Sequence, residues 1–187
     1  MAQQTSKSGT NALKRELTLS VEHRTSASPE AVYDVLADLR THAIWGGVSA
    51  QRMTGLLSIE APAGEASVGT EFESTGGDPG GRFSDRSVVT QAVRPSVFEF
   101  VTEARLVTKK NAIADWTNVH HYELRPDGDG CVITYTVRIA RISALPGMLR
   151  VLTLPVLSRI AKHEVTKVVR RGVENLASFV ERRADTR

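Results

Sequence analysis

The chain has 187 residues, 41% of them hydrophobic and 24% charged, which suffices for one domain with a sizeable core and leaves two cramped. A net charge of +3, diluted along the length, lacks the concentrated basic face of a nucleic-acid binder, so no nucleic-acid partner is expected. The lone Cys131 excludes an intrachain disulfide and a cysteine-based zinc cluster; with no secretory h-region and no run of 18 apolar residues, a cytoplasmic protein without stable membrane insertion is expected.

Residues 1–14 are almost devoid of apolar side chains and read as a disordered tail, which leaves 15–187 as a single domain. From Leu17 the pattern alternates, with Leu17, Leu19, Val21, His23 and Thr25 on the inward face of a half-buried strand. "SASPEAVYDVLADLRTHAIWGG" follows. Ser28 suits an N-cap, Pro29 the first helical position and Glu30 the positive end of the helix dipole. Val32, Leu36 and Leu39, widened by Tyr33 and Val35, make an apolar stripe that must be buried.

The middle of the chain reads as antiparallel strands divided by turn clusters: "VGTEFEST", "DRSVVTQAV", "SVFEFVTEARLV", "DWTNVHHYEL" and "CVITYTVRIA". "RPS" and "RPDGDG" make tight links, and "GGDPGG" is a flexible strand connection; it lacks the Lys and Ser/Thr of a phosphate loop. Beyond the apolar, proline-interrupted "LPGMLRVLTLPVL", Ile160, Val165, Val168, Val169, Val173, Leu176 and Val180 stripe one long helix from about Ser158 to Arg183. Its outer face carries charges, Glu181 among them, and Gly172 interrupts it at a cost of about 1 kcal/mol relative to Ala. Hairpins in the middle and helices at the ends define an α+β fold with the long helix across one sheet face.

"SPEAVYDVLADLRTHAIW", "VGTEFE", "RPSVFEF" and "GDGCVITYTV", in that order and spacing, resemble the START-like (SRPBCC) superfamily, within it the polyketide cyclase/dehydrase group, over residues 17–183. The resemblance implies a helix-grip fold: a curved antiparallel sheet wrapped around the C-terminal helix, two short helices after strand one, and a cavity between sheet and helix for a small hydrophobic ligand. A bent sheet cannot pack flush along a straight helix, and Gly172 widens the gap. The resemblance also implies that the short helices close one end of the cavity, with Trp45 plugging a mouth and Gly46-Gly47 turning the chain into strand two.

Alternation assigns Trp116, Asn118, His120, Tyr122 and Leu124 to the cavity face, with Phe98, Phe100, Thr102, Ala104 and Leu106 beside them and Cys131, Ile133, Tyr135 and Val137 on the next strand. A register slip would move all of these together. His120 is the inward group able to act as a base near neutral pH without large tuning, or else a hydrogen-bonded core histidine; no carboxylate partner is evident. Tyr122 and Tyr135 are candidate catalytic partners for it. Asn118, Thr102 and the two tyrosines put polar tips in an apolar wall, and His23 can join them; they orient a ligand carbonyl or hydroxyl, or satisfy one another. Trp45 and Trp116 stack on a flat ligand or fill the core, as do Phe72, Phe98 and Phe100. His121 faces solvent, so the adjacent histidines are not a metal pair. Glu103, Arg105 and Asp85 are expected on the outer face.

Neither a cofactor nor a metal is called for. Binding of a polyketide, lipid or isoprenoid-like molecule is the leading function, a polyketide aromatase/cyclase-dehydratase the enzyme alternative, and a membrane- or partner-associated carrier using residues 141–162 the third. Oligomeric state is open.

Overall fold

The computed structural model describes residues 17–46, 55–78, 81–142 and 155–184. The expected tail at 1–14 and most of the 141–162 segment lie outside these. Strand β1 (Leu17–Thr25) buries Leu19, Val21 and Thr25 and exposes Thr18, Ser20, Glu22 and Arg24, as its alternation dictates. Helix α1 (Pro29–Ala37) then starts on Ser28, whose extended backbone lets Oγ accept from the Ala31 N–H at 3.3 Å. Val32, Tyr33, Val35 and Leu36 are all buried, each worth about 1.5–3 kcal/mol relative to exposure. After Asp38 the chain tightens into a 3-10 turn (Leu39–Thr41) and the single-turn α2 (His42–Trp45).

Six further strands follow: β2 (Gly55–Glu60), β3 (Glu71–Asp78), β4 (Gly81–Val93), β5 (Val97–Thr108), β6 (Ile113–Asp127) and β7 (Gly130–Ile142). With β1 they form one antiparallel sheet in the order β1-β7-β6-β5-β4-β3-β2. Register shifts between Val89 and Gln91 on β4 and between Thr117 and Asn118 on β6 mark where the sheet bends. Most of the glycine run belongs to the ladder: Gly76, Gly77 and Asp78 end β3, Gly81 begins β4, and the pairing runs out to Asp78–Gly81, while Pro79 and Gly80 lie outside the described residues. Gly81 is required there, since a Cβ on it would sit 2.2 Å from the Val107 carbonyl oxygen on β5.

Helix α3 (Pro155–Ala184) begins three residues before Ser158, with Pro155 at the position where a missing N–H costs nothing. Its C-terminal half buries Val173, Leu176, Ala177 and Val180 against β1 and α1. The expected stripe does not stay buried toward the N-terminus: Val165 and Val168 are 38% and 48% exposed, because the sheet has curved away beneath them. Glu181 is also not a solvated outer charge. It accepts from Thr25 Oγ1 at 2.7 Å and from the Ser26 N–H at 3.1 Å, pinning the helix end to the β1–α1 corner. No described helix is long and apolar enough to cross a membrane.

Candidate functional site

Where α3 and the sheet diverge they leave a cavity of about 310 Å³. Val168, Val169 and Gly172 of α3 form one wall, α2 closes one side with His42 and Trp45, and residues of β2 to β7 form the rest. Gly172 contributes empty space: a Cβ built on it meets nothing within 4 Å. The size falls in the range of small-molecule sites, about 300–1,000 Å³.

The aromatic wall is a chain of ring contacts. Phe100 stacks on His120 at 4.5 Å and 12°, Tyr122 on Tyr135 at 4.4 Å and 20°, and Phe72 meets Phe100 edge-on at 5.4 Å. Tyr135 Oη lies 2.6 Å from His120 Nδ1. Burial pushes both tyrosines above the ordinary phenol range, and the closeness of Tyr135 adds to this for Tyr122. Whichever ring nitrogen of His120 carries the proton, the contact holds the imidazole and the Tyr135 hydroxyl together in the wall. Burial, helped by nearby His42, pulls His120 down to about 4. His42 is lowered to about 4 as well, by burial, while its Nε2–H donates to the Leu36 carbonyl at 2.8 Å. Both imidazoles are neutral at pH 7.

The other side is a polar strip set by register. Ser87, Thr102 and Asn118 occupy one row across β4, β5 and β6, and Ser74 and Asp85 the next across β3 and β4. Ser87 Oγ and Thr102 Oγ1 satisfy each other at 2.9 Å. Asp85 Oδ1 and Asn118 Oδ1 are buried with no hydrogen-bond partner. Burial pushes the Asp85 carboxyl up to about 6, and a backbone hydrogen bond from Arg105 holds it from rising further. This overturns the outward placement of Asp85: Phe83, Asp85 and Ser87 share the cavity face, while Arg86 points away to Glu73 at 3.3 Å.

Of the residues singled out from sequence, Trp45, Phe72, Phe100, Thr102, Asn118, His120, Tyr122, Tyr135 and Gly172 surround this cavity. Phe98 does not; it is fully buried, edge-on to Tyr33 at 5.9 Å. Trp116 pairs with Ala104 one row beyond Asn118 and lines an adjoining open groove, which shares Ser74 and Asp85 with the cavity and reaches Glu73, Arg86 and Arg105. His23 sits by Glu181, away from the cavity. His121 faces outward, its Nδ1 2.9 Å from Glu99. Burial raises the Cys131 thiol to about 11, so it packs as an unreactive core residue. The polar and titratable lining residues missed were His42, Ser74, Asp85 and Ser87. For the last two the signal was present, since Asp85 and Ser87 alternate in step with buried Val89.

A curved antiparallel sheet gripping a long terminal helix over an internal cavity defines the START-like, helix-grip class. Within it the chain belongs to the family described as polyketide cyclase / dehydrase and lipid transport, whose model matches residues 16–181. No curated protein matches the chain by sequence. Among solved structures, the di-domain aromatase/cyclase StfQ of the steffimycin biosynthetic pathway is similar with a TM-score of 0.64 at 14% identity, covering 91% of this chain and 52% of StfQ. A Rhizobium leguminosarum protein gives 0.62 at 14% identity over 90% of this chain and 96% of its own. DynU16, from the dynemicin biosynthetic locus, gives 0.55 at 14% identity over 88% and 47%. The chain thus spans about half of StfQ and of DynU16, and at these identities the likeness concerns the fold.

Proposed function

We propose that this protein binds a hydrophobic or amphipathic small molecule, of polyketide, lipid or isoprenoid character, between the sheet and α3. The observation that carries the reading is an unfilled 310 Å³ space with aromatic rings on one side and a polar strip on the other. Close packing is the rule in protein interiors, so a void of this size flanked by ring faces is a feature of use rather than of stability. The family and the polyketide-pathway neighbours point the same way. Native mass spectrometry of protein purified from its own host tests this: a co-purified small molecule supports the reading, and a bare polypeptide mass under conditions that preserve non-covalent complexes counts against it.

One observation favours an enzyme as the second reading. Asp85, raised to about 6, stands in the same cavity as a neutral His120, giving a base and a hydrogen-bonding imidazole poised differently near neutral pH. A polyketide cyclase/dehydratase would use Asp85 to take a proton beside a carbonyl and His120, buttressed by Tyr135 and Tyr122, to polarise that carbonyl. Under this reading His120→Ala abolishes turnover of a model poly-β-ketone while leaving its binding. Under the binding reading no turnover is seen in either protein.

A further inference from the structure

The cavity has chemical polarity that its size alone does not require. Asp85 carries the one formal charge among the described residues that line it. The nearby guanidinium groups are spoken for on the opposite face, Arg86 by Glu73 at 3.3 Å and Arg105 by Asp115 at 2.9 Å. From β3 Asp85 meets Ser74, from β5 Ala104, and α3 presents Val168, Val169 and Gly172 to the same space. The titratable groups sharing that space are His42, His120, Tyr122 and Tyr135, all neutral at pH 7. Two buried oxygens, Asp85 Oδ1 and Asn118 Oδ1, lack a donor, whereas the hydroxyls between them, Ser87 and Thr102, are mutually satisfied. Leaving a buried acceptor unmet is costly, and a carboxylate most of all.

Building on the proposed cavity function, we infer that the strip from Asp85 to Asn118 is a selectivity subsite: it takes a ligand whose buried end presents hydrogen-bond donors, hydroxyl or ammonium, and rejects one ending in an anion. Donor groups on the ligand meet these acceptors while its apolar body lies along Phe72, Phe100 and His120. A carboxylate head would set like charge against Asp85 with no cation among the described lining residues to offset it. The cavity is therefore selective against free fatty acids and for hydroxylated or amine-bearing ring systems, a division that the fold does not impose.

Four probes with one common ring test this: 2-naphthol, 2-naphthylmethylammonium, 2-methylnaphthalene and 2-naphthoate, titrated calorimetrically at pH 7.5. The wild type is expected to bind one of the two donor probes about tenfold or more tighter than 2-methylnaphthalene, and 2-naphthoate weakest. A lead for the ammonium identifies a cationic ligand and a lead for the naphthol a hydroxylated one; either supports the subsite. Asp85→Leu should bring the donor probes to within about threefold of 2-methylnaphthalene, and Asp85→Asn, nearly isosteric, should restore 2-naphthoate binding while keeping part of the naphthol preference. Equal binding of 2-naphthol and 2-naphthoate by the wild type, or an order unchanged in both variants, overturns the inference and leaves the cavity function standing. Failure of every probe, 2-methylnaphthalene included, defeats the cavity function and this inference with it.

Discussion

At the scale of single residues, three buried titratable groups oppose one another. His42 and His120 have folded pKa values near 4, below the ordinary 6.5, so the unfolded chain takes up protons first as pH falls. Their stabilising contribution is complete above pH 6.5 and is lost between 6.5 and 4, up to about 3 kcal/mol each. Asp85 has the opposite sign. Its folded value near 6 exceeds the unfolded 3.8, so an ionised Asp85 costs stability that returns as pH drops from 6 toward 3.8. Because the group is only partly shielded from water, that cost is about 1–2 kcal/mol. Urea denaturation should therefore find Asp85→Asn about 1–2 kcal/mol more stable than the wild type at pH 7 and equal to it near pH 4, both having lost several kcal/mol on the way. A variant no more stable at pH 7 would show Asp85 to be already neutralised. His42 was hidden in the sequence, whereas Asp85 was legible and misread. Charge suggested an outward Asp85, although its two-residue spacing from Ser87 and four-residue spacing from buried Val89 said otherwise. His42 belongs to a one-turn helix that the 3-10 turn sets apart from the α1 stripe, so no periodicity announces its burial.

At the scale of elements, α3 is a helix of two halves. Its C-terminal half is core, and Glu181 ties it to Thr25 and Ser26, for which Glu181→Ala should cost about 1–2 kcal/mol in the same denaturation experiment. A change within about 0.3 kcal/mol would reduce that corner to a solvated contact. Its N-terminal half spans the cavity, so Gly172→Ala enters open space and should raise stability by up to about 1 kcal/mol, the helix-propensity difference, read as a higher Tm. The alternation of β1 and the capped start of α1 were legible because each is local: a period-two run, then Ser-Pro-Glu. The glycine run was not, because what demands Gly81 is the approach of Val107 from β5, a contact between residues far apart in sequence. Trp116 was misplaced for a related reason: alternation tells which face a residue shares, not how far along the strand the cavity extends.

At the scale of the whole molecule, the sheet and α3 diverge, and the space between them is where the proposed function places the ligand. Eight of the side chains chosen from sequence, together with Gly172, meet there because strand register, the one-turn α2 and that helical glycine converge on it. The class of fold was readable from element order and motif spacing; the chemistry of the site depended on cross-strand neighbours, which no single strand reveals. The most direct test is a titration of the wild type and Gly172→Phe with the uncharged fluorophore Nile red, with Tm measured alongside. The account predicts saturable one-site binding with blue-shifted emission for the wild type, and its loss in a Gly172→Phe protein that stays folded with an undiminished Tm. Undisturbed binding in that folded variant would contradict the claim that the ligand occupies the space beneath α3.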